Sequence, residues 1–143
     1  MILPVGVEMN MVLLYQIPKE KLRKLRVILL QLGLGAKVVE PEEYGLPIGA
    51  LAGLEDMDGT SQASESESPF SGEMLVMCGL SPQQFSAFLN ALRQNRCPVA
   101  LKAVLTETNA AWSSYRLHRE LAAEHEALKK VKPENAAKNS RHP

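Results

Sequence analysis

Short apolar runs recur along the chain and predict four β-strands. Met11–Tyr15 and Met74–Cys78 are apolar at every position, which is typical of strands buried on both faces of a sheet. Residues 37–39 and 99–105 are predicted as the second and fourth strands. The chain therefore contains the strands of an α/β or α+β domain.

Helical periodicity separates these runs. Residues 18–32 place four leucines on one face of a helix, at positions 22, 25, 29 and 32. Ser81 and Pro82 predict the cap and first turn of a helix that ends near Arg96. Residues 48–54 are predicted to form two helical turns, and a last helix runs from residue 113 or 114 to about residue 130.

The two halves of the pattern resemble each other. Met11–Tyr15 aligns with Met74–Cys78, and the helices that follow align as well. After a small adjustment Lys37 falls on Lys102, which strengthens the match. We therefore interpret the chain as a duplicated βαβ(α) unit.

These elements predict an α/β fold with a four-stranded, mainly parallel sheet in the order 2-1-3-4 and helices on both faces. The alternative is a ferredoxin-like α+β sandwich, which has the same element order with antiparallel pairing. In the parallel arrangement a ligand would bind between the turns that follow the first and third strands, where strand order reverses.

The domain boundaries follow composition. We predict an N-terminal extension over residues 1–10 and a single α/β domain over residues 11–130, with halves 11–54 and 74–130. Residues 55–73 contain six acidic residues and no basic one, so they are predicted to form a flexible acidic loop. Residues 131–143 are polar and are predicted to be a disordered tail.

Composition excludes several classes of protein. Lys plus Arg and Asp plus Glu both number 16 in a chain of 143 residues, so the net charge is zero. That balance argues against general nucleic-acid coating. No apolar run is long enough to span a membrane. Two cysteines and an N-terminus without a signal-peptide pattern predict a reduced, cytoplasmic protein.

Catalytic motifs are missing from the sequence. It has no glycine-rich phosphate loop, no His-Glu-x-x-His and no local Ser/His/Asp or Cys/His set. We therefore predict no catalytic residues, no metal and no cofactor, and we interpret the chain as a non-enzymatic binding or regulatory domain. Its partner is a protein or a small anionic ligand, and an edge strand permits a homodimer. A weaker alternative is binding of RNA or an acidic partner through the basic residues 19–26.

One polar cluster is the best candidate for a site. Lys102, Thr106, Thr108, Asn109 and Trp112 lie between the predicted fourth strand and the last helix. Exposed N–H groups before a helix can receive an anion. Lys102 would neutralise it, the threonines and Asn109 would donate hydrogen bonds, and Trp112 would form an apolar wall. The alternative hypothesis is a small-anion-binding protein or enzyme that uses this loop.

The same segment resembles a known family. The pattern Lys-Ala-Val-Leu-Thr-Glu-Thr-Asn at residues 102–109, followed by Trp112 and a Glu-rich helix, is similar to the family catalogued as domain of unknown function 3783, and so is Met11–Tyr15. The resemblance covers residues 11–130. It implies a small bacterial cytoplasmic protein without an assigned activity, and it offers no catalytic residues to carry over.

Overall fold

The computed structural model describes the backbone of residues 9–54 and 70–139, with side chains up to residue 128. Most of the predicted N-terminal extension, most of the predicted acidic loop and the last four residues lie outside the described residues. The described residues therefore cover most of the two predicted halves.

The four strands form one sheet in the predicted order. They are β1 (Met11–Tyr15), β2 (Gly35–Val38), β3 (Met74–Cys78) and β4 (Leu101–Val104), and the order is β2-β1-β3-β4. β1 pairs with β2, and β3 with β4, in parallel. The central pair, β1 and β3, is antiparallel.

The prediction of a mainly parallel sheet is therefore wrong, because the sheet is mixed. The ferredoxin-like alternative is not observed either, since both outer strand pairs are parallel. Each βαβ connection is short and sets its own parallel pair. No such connection joins β1 directly to β3, so the pattern of apolar residues in the two strands does not set their relative direction.

The helices follow the predicted positions. They are α1 (Lys19–Gln31), α2 (Ile48–Leu51), α3 (Pro82–Gln94) and α4 (Ser114–Asn139). α3 begins with a complete capping box, in which Ser81 accepts from the Gln84 amide and the Gln84 side chain accepts from the Ser81 amide. α4 continues past the predicted end near residue 130. Glu134 and Ala136 have good helix propensity, whereas the polar composition of residues 131–143 predicted a disordered tail.

Helices cover both faces of the sheet, as predicted. α1 and α3 pack on one face, which buries Val12, Leu14, Leu25, Leu75 and Phe88. α2 and α4 pack on the other, which buries a separate cluster that includes Tyr15, Tyr44, Ile48, Val76 and Leu117. Full burial of each such side chain stabilises the fold by about 1.5–3 kcal/mol.

The two second-strand lysines are not equivalent in the structure. Lys37 lies opposite Leu13, whereas Lys102 lies opposite Leu75. Leu13 and Leu75 belong to cores on opposite faces of the sheet, so the two lysines also point to opposite faces. This match therefore does not support the repeat. Both halves share an element order, but duplication itself stays a prediction.

Candidate functional site

Asn109 holds the loop that follows β4. Its Oδ1 accepts from the Thr106 amide at 2.9 Å, its own amide N–H donates to Thr106 Oγ1 at 3.1 Å, and its Nδ2 donates to the Val104 carbonyl at 3.0 Å. Asn109 is only 9% exposed. The buried side chain therefore forms its hydrogen bonds with the protein backbone, and few of its donor and acceptor positions are available to a ligand.

Trp112 connects this loop to the helices on the same face. Its carbonyl accepts from the Ile48 amide at the start of α2, and its ring lies 4.3 Å from the Arg116 guanidinium carbon of α4. Thr108 is exposed. These contacts make Trp112 part of the packing between α2, α4 and the loop, and the guanidinium covers its ring.

Lys102 lies on the other side of the sheet edge. It is exposed, projects toward the α1 and α3 face, and donates from Nζ to the Val99 carbonyl at 2.8 Å. The structure therefore brings Thr106, Asn109 and Trp112 together but places Lys102 in different surroundings. That separation follows from the pleat, because neighbouring strand positions face opposite sides.

The surroundings of Lys102 form a groove of about 550 Å³ between the C-terminal end of α3 and β4. We call this the α3–β4 groove. Its floor is apolar, and its rim carries three cations. The floor consists of Leu89, Leu92, Pro98 and Val99, the cations are Arg93, Arg96 and Lys102, and Cys97 completes the lining. The volume falls within the range of small-molecule sites.

The charge at the groove is uncompensated among the described residues. None of the described residues that line it is acidic. Arg93 donates to the neutral Asn90 side chain, and Lys102 to a carbonyl. The ion pairs recorded in the described ranges, Lys21–Glu73 and Lys37–Glu43, involve none of the three groove cations. An anion in the groove would meet converging positive charge over an apolar floor.

Sequence reasoning missed Arg93 and Arg96 as site residues. They lie in or just after the last turn of α3, where cations usually complement the helix dipole. Their proximity to Lys102 depends on how α3 packs over β3 and leaves β4 uncovered. A signal existed, since three cations and no acid occur between residues 93 and 102.

The basic residues of α1 lie on the same face. Lys21, Lys24 and the carboxylate of Glu20 line a second, smaller pocket that shares Arg96 and Cys97 with the α3–β4 groove. Lys21 is already bound, because its Nζ lies 2.6 Å from Glu73 Oε1 and 2.6 Å from the Pro98 carbonyl. A contact between α1 and the predicted acidic loop is thus present at Glu73.

An aromatic cluster lies under α4 on the opposite face. Phe70 stacks between Tyr44, at 4.6 Å between ring centroids, and His118, at 4.0 Å. Tyr15 and Ser114 share a buried hydrogen bond of 2.7 Å, and burial raises the pKa of Tyr15. No buried side-chain nitrogen or oxygen of the described residues lacks a partner, so the cluster directs no free polar group at a ligand. We interpret it as packing.

His118 makes the stability of this cluster depend on pH. Burial lowers the pKa of His118 below its ordinary 6.5, and a hydrogen bond with the Ser71 backbone opposes this. Below about pH 6.5 the unfolded chain therefore binds a proton that the folded chain resists, and the free energy of unfolding falls as the pH falls. His118→Phe keeps a ring against Phe70 and should flatten this slope in urea denaturation between about pH 7.5 and 5.5. An unchanged slope would contradict the assignment to His118.

Cysteine and metal chemistry find no support in the described residues. Cys78 and Cys97 are free and buried. Burial raises the pKa of the Cys78 thiol to about 12, which keeps it unreactive. Across residues 9–54 and 70–128, no group of His, Cys, Asp and Glu side chains is arranged to hold a metal ion. Within the described helices, none is long and apolar enough to cross a membrane.

The fold and groove define an α/β domain with a mixed four-stranded sheet. Residues 73–128 match the family described as Domain of unknown function (DUF3783), so this part of the chain belongs to that family. The match covers β3, α3, β4 and most of α4, including the α3–β4 groove. It does not reach residues 11–72, and there the resemblance stays a prediction. No curated protein and no solved structure matches the chain.

Proposed function

We propose that the chain is a non-enzymatic binding domain whose α3–β4 groove takes an anionic ligand with an apolar part. The observation that carries this proposal is the group of three cations, unpaired with any described carboxylate, around an apolar floor. The helix dipole alone accounts for Arg93 and Arg96 at the end of α3, but Lys102 comes from a strand. A bound anion would neutralise the positive charge of these three cations.

This proposal keeps part of the sequence-based candidate site and changes the rest. Lys102 remains a ligand-binding candidate, now with Arg93 and Arg96 as its partners. Asn109, Thr106 and Trp112 are proposed to hold the loop beside the groove, and Thr108 has no assigned part. The free, buried cysteines agree with the predicted cytoplasmic location, which we retain with the bacterial origin and the duplication as proposals.

A pair of amphiphiles tests the proposed function. Octyl phosphate and octylamine have the same apolar chain and opposite charge. In an NMR titration, octyl phosphate should shift the backbone amides of residues 89–102, and octylamine should not. Because binding relies on paired charges, Arg93→Gln with Arg96→Gln should weaken octyl phosphate binding about tenfold or more.

The matched control is Arg23→Gln with Arg26→Gln. These exposed cations of α1 line neither described pocket, and their loss changes the net charge by the same amount. The control should retain the affinity. Equal binding of the two amphiphiles, or equal loss in the two double variants, would remove the proposal.

A further inference from the structure

Among the residues that the structure describes, no strand pairs with the outer edge of β4. β4 is a terminal strand of the sheet among the described residues. The Leu105 amide donates to the Met77 carbonyl of β3, and the N–H and C=O groups along a strand alternate in direction. The backbone groups of Lys102 and Val104 therefore point away from β3.

Asn109 confirms this direction and ends the open stretch. Its side-chain amide bonds the Val104 carbonyl and the Thr106 amide, which are the groups that a neighbouring strand would pair. The Asn109 side-chain amide thus forms the two hydrogen bonds that one residue of a fifth strand would form. No described residue is recorded as a partner of the Lys102 N–H, the Lys102 carbonyl or the Val104 N–H, so these groups remain for a partner. Val104 is 44% exposed, so helix α3 does not cover this edge.

Depressions flank the open edge on both faces of the sheet. On one face lies the α3–β4 groove. On the other, a smaller depression of about 140 Å³ lies between β4 and α4, with Leu121, Leu128 and Glu124 in its lining. Lys102 borders both. A strand added to β4 would direct alternate side chains into the two depressions.

We propose that the ligand is an extended acidic segment of another protein, which adds to β4 as a parallel or antiparallel fifth strand. This inference rests on the proposed function, because the segment uses the α3–β4 groove. Its acidic residues face Arg93, Arg96 and Lys102, with their methylene groups over the apolar floor of the α3–β4 groove. The aliphatic residues between them face Leu121 and Leu128. Backbone hydrogen bonds supply affinity and the two depressions supply specificity.

Charge favours this occupant over a second copy of the chain. In a two-fold interface the same surface meets itself. Pairing through β4 would therefore bring Arg93, Arg96 and Lys102 of one copy next to the same three cations of the other. The opposite edge offers no comparable charge, because Lys37, the cation of β2, already pairs with Glu43 at 3.1 Å.

A hexapeptide with alternating residues, acetyl-Glu-Val-Glu-Leu-Glu-Val-amide, probes the edge. Its control is the block sequence acetyl-Glu-Glu-Glu-Val-Leu-Val-amide, which has the same composition and charge. The alternating peptide should bind about tenfold or more tightly than the control. It should also slow hydrogen exchange at the Lys102 and Val104 amides.

N-methylation gives a signature that only strand addition produces. One version of the alternating peptide is methylated at the glutamates and the other at the aliphatic residues. Alternate residues direct their N–H groups to the same edge, so one version should lose binding and the other should keep it. Equal behaviour of the two versions would overturn the inference, as would equal binding of the alternating and block peptides.

Val104 supplies the matched protein variants. Val104→Pro removes an outward N–H that β3 does not use, and proline is tolerated at such edge positions. Val104→Ala keeps that N–H. The proline variant should lose peptide binding about tenfold or more while both variants still bind octyl phosphate. If octyl phosphate binds the wild type and the peptide does not, the inference fails and the proposed function stands; if neither binds, both fail. Dimerisation in light scattering that the peptide does not reverse would assign the edge to a second copy and overturn the inference.

Discussion

Replacing Asn109 with alanine is expected to lower the free energy of unfolding by about 2 kcal/mol and to leave octyl phosphate affinity unchanged. The buried Asn109 side-chain amide makes two hydrogen bonds, which the alanine variant loses: Oδ1 accepts from the Thr106 amide and Nδ2 donates to the Val104 carbonyl. Their loss leaves the Val104 carbonyl and the Thr106 amide without their partner at the end of β4. Urea denaturation and the NMR titration measure the two effects separately.

Lys102→Ala is the control and should behave in the opposite way. Lys102 is exposed, so its truncation should change stability by less than about 0.5 kcal/mol. Octyl phosphate binding should weaken by several-fold because the groove loses one of three cations. The interpretation is wrong if Asn109→Ala weakens binding in a protein of unchanged stability, since that result would return Asn109 to the ligand site.

The change Gly79→Ala is expected to cost about 3 kcal/mol of stability, against about 1 kcal/mol for Gly33→Ala. Both glycines have a left-handed backbone, with φ of +63° at Gly79 and +73° at Gly33. A Cβ at Gly33 would meet nothing within 4 Å. A Cβ at Gly79 would lie 2.5 Å from the Met9 backbone nitrogen and 2.8 Å from its Cβ, so the Met9 backbone must shift.

Denaturation curves of Gly79→Ala and Gly33→Ala separate two costs. Both variants carry the backbone strain, and only Gly79→Ala adds the clash with Met9. The additional cost at Gly79 comes from moving Met9 and from disturbing the bond between the Asn10 amide and the Gly79 carbonyl. Gly79→Asn should cost about as much as the alanine change, although asparagine tolerates this backbone region better. Equal losses in Gly33→Ala and Gly79→Ala would show that the Met9 contact does not resist the substitution.

Local patterns were sufficient for the type and approximate position of the four strands and four α-helices, although the bounds of β2, β4, α2 and α4 differ from the predicted ones. The apolar runs of β1 and β3 match the observed strands residue for residue, and Ser81 with Pro82 locates the start of α3. The predicted strand order is also observed, and the short βαβ connections account for the neighbours β1–β2 and β3–β4 within it. Domain limits beyond the described residues remain predictions.

The register of β4 against β3 separates the residues of the predicted site, and no local sequence pattern shows that register. Lys102 and Asn109 are close in sequence, and both are polar, so they look like parts of one loop. In the structure, Lys102 takes the face of Leu75 and the α3–β4 groove. The ligand crevice predicted between the turns after β1 and β3 is also not formed. Because these strands are antiparallel, Tyr15 lies opposite Met74, and the two turns fall at opposite ends of the sheet.

By itself, then, the sequence determined the four strands, their order, the helices between them and the apolar faces that those helices bury. These properties depend on short-range periodicity and capping, which act within a few residues. Only the tertiary structure decided the antiparallel central pair, the separation of Lys102 from Asn109 and the meeting of Arg93, Arg96 and Lys102. Each of these depends on how distant segments pack against one another, and a one-residue change of register moves a side chain to the other face.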